Sequence, residues 1–246
     1  MQQLPQALHA LGQHAQFIVY RLVPSASRAG KTDKFPVDHR SGNVANAHDQ
    51  GIWLTADQAI AAAGRRGAGH GVGWVLTPQA GIWFLDIDDC LVDGQWSPLS
   101  QHLVGALAGA AVEVSSSGRG LHIFGTGPVP EHACKNIPLH LELYTEGRFV
   151  ALTGTHASGS AYASPDIASI AAAYFPPKVK GEYGDEWRNE PVPEWSGSVD
   201  DATLLRMANA SSSAASAFGN RARFSDLWLG DADALARAYP DPDGPT

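Results

Sequence analysis

Two cysteines in 246 residues, Cys90 and Cys134, supply neither a disulfide framework nor the Cys-x-x-Cys pairs of a zinc module, so a reducing compartment is expected. No apolar run is long enough to cross a bilayer, and Met1-Gln2-Gln3-Leu4-Pro5 lacks the basic-then-apolar form of a secretion signal. The expectation is a cytoplasmic protein with no membrane partner. Positive charge is scarce as well. Seventeen Lys and Arg stand against 25 Asp and Glu, and the formal net charge of −8 argues against a general nucleic-acid coat. The shortage is uneven, however: residues 1–66 hold seven basic side chains against four acidic ones, whereas residues 176–246 hold seven against twelve. A modest basic groove near the amino terminus is therefore still available for a phosphate backbone. A phosphate loop of the Walker type is missing, so no helicase motor is expected within these residues.

What is present is carboxylate in an unusual place. Phe84-Leu85-Asp86-Ile87-Asp88-Asp89 is an apolar run that ends in three acids. Burying apolar residues around like charges is costly unless something neutralises them. Side chains alternate along a strand, which predicts Asp86 and Asp88 on one face about 7 Å apart and Asp89 on the other. Two such carboxylates suit a hard divalent cation, Mg²⁺ or Mn²⁺, and pairs of these ions serve nucleotidyl transfer. An acidic turn after a buried strand accounts for a single Asp-x-Asp equally well, so its neighbours must decide.

Two further motifs follow. Ser115-Ser116-Ser117-Gly118-Arg119-Gly120-Leu121-His122-Ile123-Phe124 is a small-residue turn feeding an apolar strand that carries one histidine. Glycines let backbone approach an anion, and hydroxyls, Arg119 and His122 are donors suited to a triphosphate. The plain alternative is a hairpin turn and a core histidine. Next, Leu139-His140-Leu141-Glu142-Leu143-Tyr144 alternates with period two, which predicts His140, Glu142 and Tyr144 on one polar face. Thr145-Glu146-Gly147-Arg148-Phe149-Val150-Ala151-Leu152-Thr153-Gly154 then reads as a turn and a returning strand, a hairpin with Arg148 near its bend.

Coarse elements can be placed around these motifs. Leu4, Leu8 and Leu11 suggest an opening helix before a strand over 17–22. Residues 24–51 read as long loops, and Thr55 is a fair N-cap for a helix that Gly64 would stop. Strands are expected over 72–76, 82–88, 111–114, 121–125, 139–144 and 148–153, with helices over 99–110 and 168–175. Pro176-Pro177 closes this part, giving a domain over 1–177, a linker over 178–200 and a small helical appendage over 201–246. The mixture indicates an α+β class.

Taken together, Asp-x-Asp, Ser-x-Gly-x-Gly-x-His and a strand Glu followed by Tyr and Gly-Arg-Phe-x-x-x-Thr-Gly resemble the bifunctional DNA primase/polymerase family of phages and mobile elements, within the archaeo-eukaryotic primase superfamily. The resemblance covers roughly residues 10–175, with Gln16-Phe17-Ile18-Val19-Tyr20, Lys34-Phe35-Pro36 and Gly71-Val72-Gly73-Trp74-Val75-Leu76 resembling its amino-terminal portion. It implies an RNA-recognition-motif-like catalytic sheet joined to an amino-terminal α/β portion. It further implies template-directed DNA polymerisation and primer synthesis in a bacterial host cytoplasm, with DNA template, primer and nucleoside triphosphates as partners. A helicase domain or partner would lie outside this chain. By position, Asp86, Asp88 and Glu142 would be the metal-holding acids and His122 the triphosphate residue. Ser115, Ser117 and Arg119 would stand beside His122, with Lys34 and Arg148 as further phosphate or template contacts. Two rival readings are a non-catalytic single-strand binder displaying Trp74, Trp83, Phe124 and Tyr144 for base stacking, and a metal-dependent phosphodiesterase or replication-initiation nuclease.

Overall fold

The computed structural model describes residues 1–25, 32–177, 200–210 and 222–238. The chain divides into two compact units, Met1–Lys178 and Val179–Thr246. The expected linker, apart from Asp200, falls outside the described residues, as do the basic residues Arg28 and Lys31.

Two antiparallel sheets build the first unit. One has the order β11-β3-β1-β2, from β1 (Phe17–Pro24), β2 (Thr32–Val37), β3 (His70–Val75) and β11 (Phe149–Leu152). The other has the order β7-β8-β4-β10-β9, from β4 (Ile82–Ile87), β7 (Ala111–Val114), β8 (Leu121–Thr126), β9 (Lys135–Asn136) and β10 (Leu141–Tyr144). A short ribbon of β5 (Leu91–Val92) and β6 (Gln95–Trp96) leads into helix α2 (Pro98–Ala106). Helix α1 (Ala56–Arg66) lies between β2 and β3, and α3 (Ile167–Tyr174) follows β11. The architecture is mixed α+β.

Period-two alternation gives the second sheet two apolar faces, and each has its own cover. Trp83, Leu85, Ile87, Leu121, Ile123, Leu141 and Leu143 pack with Leu103 and Leu107 at α2, with Ile167 and Ile170 of α3, and with Phe175 just beyond it. On the opposite face Phe84, Phe124 and Tyr144 pack with Phe17, Val19, Val72, Trp74 and Val150 of the first sheet and with Ala59 and Ala62 of α1. Asp86 follows Phe84 by two residues, so it continues this inter-sheet face. A carboxylate is thereby carried to the rim of an apolar sandwich.

Several local expectations hold. Thr55 caps α1 in a full capping box with Gln58, although the helix runs past Gly64 and stops at Gly67, whose φ is +79°. Others change. The opening helix is two separate 3₁₀ turns, Gln6–Leu8 and Leu11–Gln13, with Leu8 and Leu11 still buried. Residues 24–51 contain β2, which pairs with β1 from Val19↔Val37 to Pro24↔Thr32. Residues 139–153 form no hairpin. Strand β10 pairs with β4 and β9, whereas β11 crosses to the other sheet and pairs with β3. The cause is edge supply: β4 occupies one edge of β10 and β9 the start of the other, while β3 offers Phe149–Leu152 a free edge beside the core. His140 also leaves the strand face, because it adopts a left-handed conformation, φ +56°, before β10 begins.

In the second unit, α4 (Asp201–Ala210), α5 (Phe224–Leu229) and α6 (Ala232–Ala238) are short helices. Asp200 accepts from Thr203 N–H at 2.9 Å and Asp231 from Ala234 N–H at 3.0 Å, so two of the three have side-chain caps. No described helix is long and apolar enough to cross a membrane.

Candidate active site

Strand register assembles the site. Glu142 of β10 lies opposite Asp86 of β4, Asp86 opposite His122 of β8, and His122 opposite Glu113 of β7. Lys135 of β9 extends the row beyond Glu142. One continuous polar row, Lys135–Glu142–Asp86–His122–Glu113, therefore crosses five strands. The row next to it, Tyr144–Phe84–Phe124–Ala111, is apolar and belongs to the core. Three motifs far apart in sequence meet because each sits at the same height on neighbouring strands.

Asp86 is the strained member. Its Oδ1 is buried without a hydrogen-bond partner, and His122 Nε2 at 3.9 Å is too distant to provide one. Burial pushes its pKa up to about 6, with Asp88 and Glu142 adding to the rise, while His122 and Lys34 oppose it. Glu142 has the opposite fate. Burial would raise it, but Lys135 Nζ donates to Oε1 at 2.6 Å, Tyr144 Oη donates to Oε2 at 2.7 Å, and Arg148 adds positive charge. The net result is a pKa below the usual glutamate value. The two facing carboxylates thus have surroundings that act on their charge in opposite directions.

The remaining residues picked out from sequence are distributed around this row. Asp88 lies just past the end of β4 and is exposed, its backbone N–H donating to His140 O at 2.9 Å. It stays close enough to raise the Asp86 pKa. Lys34 of β2 comes from the other sheet, where burial lowers its pKa and the charges of Asp86 and Asp88 pull it back up. Arg148 donates to Tyr144 Oη at 2.9 Å and lies over that ring, 4.8 Å from its centre. The Ser/Gly segment is the β7–β8 hairpin turn. Ser115 and Ser117 bond to each other at 3.0 Å, and Ser117 Oγ accepts from Arg119 N–H. The Arg119 guanidinium is ion-paired with Asp89 at 2.8 Å. Gly120 has a steric reason: a Cβ there would meet Ile87 O at 2.8 Å, so only glycine lets the hairpin lie against the end of β4.

Among the described residues no three His, Cys, Asp or Glu side chains form a ready metal-holding group. The reason is visible in Glu142, whose two oxygens already serve Lys135, Tyr144 and Arg148. In donor chemistry the acids nevertheless fit a hard cation, since all are oxygen donors and the buried Oδ1 of Asp86 lacks any partner. The base-stacking expectation fails on burial: Trp74, Trp83 and Phe124 are wholly enclosed, and Tyr144 is buried too. Sequence reasoning also passed over Glu113 and Lys135. Glu113 carried a readable signal, a lone carboxylate within the apolar strand Ala111-Val112-Glu113-Val114.

No family model matches the chain. It is similar to a DNA primase-polymerase of Nitratiruptor phage NrS-1, 27% identical over 212 residues, which take in 81% of this chain and 27% of that phage protein. The chain therefore spans little more than a quarter of its relative's length. A distant similarity to a phage primase-polymerase is what the sequence comparison supports.

Proposed function

We propose that the first unit is a nucleotidyltransferase domain that extends, and with its appendage initiates, DNA strands on a template by phosphoryl transfer from nucleoside triphosphates. The observation that carries this reading is the alignment of Glu142, Asp86 and His122 on one row of three adjacent strands. Kinship to a primase-polymerase supports it from an independent direction. The sheet order supports an RNA-recognition-motif-like catalytic core: β10-β4-β8-β7 is the 4-1-3-2 order of that fold, with two helices covering one face.

In this reading Asp86, Asp88 and Glu142 would hold Mg²⁺ or Mn²⁺. When bound, such ions activate the attacking 3′-hydroxyl and stabilise the departing pyrophosphate. His122 presents Nε2 on the Asp86 side of the row and would bond a phosphate oxygen. Lys34 stands across from Asp86 and Asp88 as a positive neighbour, and Arg119, exposed and paired with Asp89, can exchange that partner for a phosphate. Arg148 and Lys135 hold Glu142 ionised and in place.

The deciding test is primer extension with Mg²⁺ and with Mn²⁺, run beside a no-primer assay and a nuclease control. Product longer than the primer is expected with either ion. Shortening of the DNA in place of growth would favour the phosphodiesterase reading. On the same protein, His122→Ala should weaken nucleotide affinity by about tenfold or more while template affinity stays within about twofold. Equal loss of both affinities would remove His122 from the triphosphate site.

Residues 201–246 lack the Ser-x-Gly-x-Gly-x-His and strand-Glu motifs that accompany Asp86-Ile87-Asp88, although Asp-x-Asp itself recurs at Asp231-Ala232-Asp233 and Asp241-Pro242-Asp243, and they belong to a separate compact unit. Truncation after Glu194 should therefore preserve extension of a supplied primer and reduce synthesis without one, because initiation must hold two nucleotides without help from a paired primer. A folded, truncated chain that cannot extend would place this segment in the active-site domain.

A further inference from the structure

We infer that Glu113 is a positioning residue for His122: its buried carboxylate, seated on the backbone N–H groups of Thr153 and Gly154, accepts the Nδ1–H hydrogen bond and so fixes the ring with Nε2 toward Asp86 and the incoming nucleotide. The inference rests on the nucleotidyl-transfer reading for its functional part and on geometry for the rest.

Glu113 is completely enclosed, a place where a carboxylate is unstable unless several donors meet it. Its partners supply them. Thr153 N–H reaches both carboxylate oxygens at 3.2 Å, Gly154 N–H reaches Oε2 at 2.8 Å, and His122 Nδ1 lies 2.9 Å from Oε1. Backbone N–H groups can only donate, so the carboxylate acts as acceptor throughout and the shared proton belongs on Nδ1. A histidine's second nitrogen takes its role from the bond that the first one makes. With Nδ1 committed, Nε2 is the nitrogen left to the Asp86 side, at 3.9 Å from Oδ1. Rotation of the ring is opposed by Phe84, whose ring meets the imidazole edge-on at 5.3 Å. A ring held this way is bare at Nε2, so a bond to an anionic oxygen needs a second proton on the imidazole, whose charge the Glu113 carboxylate behind it balances and a glutamine amide in its place would not.

The same contacts give the Thr-Gly pair at the end of Gly147-Arg148-Phe149-Val150-Ala151-Leu152-Thr153-Gly154 a purpose that the sequence alone did not supply. The pair follows β11, in the first sheet, and bends its N–H groups toward an acid of the second. Gly154 has φ +66°, the left-handed region where glycine is favoured, and Thr153 Oγ1 anchors the bend by donating to Val114 O at 2.6 Å. A staple between sheets that merely stabilises the fold would use the same contacts. The two roles differ in what they do to the imidazole.

Glu113→Gln separates them, because the amide keeps the volume but must turn its NH₂ toward either Nδ1–H or a backbone N–H. The full chain is labelled with ¹⁵N-histidine, and the His122 signals are identified by their loss in His122→Ala. In the wild type Nδ1 should carry the proton, and in Glu113→Gln the neutral ring should move to the Nε2–H tautomer. Affinity for dATP should fall about tenfold in Glu113→Gln, with affinity for single-stranded DNA unchanged, and Glu113→Gln should cost nothing further in a His122→Ala background. An unchanged tautomer, or an equal loss of dATP affinity with and without His122, reduces Glu113 to a staple and overturns the inference. A tautomer switch in a chain whose wild type binds no dATP overturns the nucleotide part and the proposed function together, while the Glu113–His122 coupling stands. Should Glu113→Gln fail to fold, the wild-type spectrum still decides, since a ring bare at Nδ1 and protonated at Nε2 overturns the inference.

Discussion

Asp86→Asn should abolish nucleotide incorporation, by at least about a thousandfold, and yet make the metal-free protein melt several degrees higher than the wild type at pH 7.5. The two effects have one origin. Asp86 is half-buried at the rim of the sandwich with an unpartnered, buried Oδ1, and its pKa is raised from the ordinary 3.8 to about 6. Since the folded pKa exceeds the unfolded one, the folded state binds the proton more tightly. The stability contributed by the neutral acid is complete below the unfolded pKa and is lost as pH rises through about 6. At about 1.4 kcal/mol per unit, ionised Asp86 costs the fold about 3 kcal/mol at neutral pH. The asparagine amide keeps the shape without the charge and escapes that cost, but it cannot act as an anionic oxygen ligand. Melting curves in EDTA at pH 7.5 and pH 4 provide the check. The advantage of the variant should be largest at pH 7.5 and nearly gone at pH 4. A variant that melts no higher at pH 7.5, or one that still incorporates nucleotides, would contradict the claim that Asp86 is stored at a cost to stability for the reaction.

Much of this arrangement was legible from residues alone, and the boundary of legibility has a physical basis. Asp86 and His122 were readable as lone polar residues within apolar strands, and Glu142 as the polar member of an alternating one, all local patterns. That they share one row was not readable, because register between strands distant in sequence is fixed by core packing rather than by nearest neighbours. The expected hairpin over 139–153 failed for the same reason. A short Gly-containing turn favours a return to the same sheet, but which edge lies free for β11 is decided by β3, some 70 residues earlier. β2 was hidden by polar composition, since Thr32-Asp33-Lys34 reads as loop, yet β1 holds it by a full ladder. The tie between Glu142 and Lys135 is likewise a product of the β9–β10 register.

Glu142→Gln should lower incorporation at least about a hundredfold, as an acidic member of the row, but its effect on stability should be opposite to that of Asp86→Asn. Glu142 sits directly opposite Asp86, and its surroundings favour the charge. Burial works against ionisation, but Lys135, Tyr144 and Arg148 together outweigh it and hold the pKa below the usual value. For a carboxylate with a depressed folded pKa, the contribution to stability is present above the unfolded pKa and is lost as pH falls through the folded one. Lys135 agrees in direction, since the hydrogen bond to Glu142 raises its pKa above the usual lysine value. The pair therefore stabilises the fold across the whole neutral range. Its side chains are partly open to solvent, so about 1 kcal/mol is a fair scale, and Glu142→Gln should melt a few degrees below the wild type at pH 7.5. The difference should shrink below pH 4, as the wild-type carboxylate takes up its proton. A variant that melts above the wild type would mean that repulsion from Asp86 dominates Glu142 over its basic partners. If both substitutions remove incorporation but move stability in opposite directions, the two facing acids are separated as the charge partners assign them: one kept ionised by basic neighbours, the other half-buried with its inner oxygen unpartnered until a cation or substrate arrives.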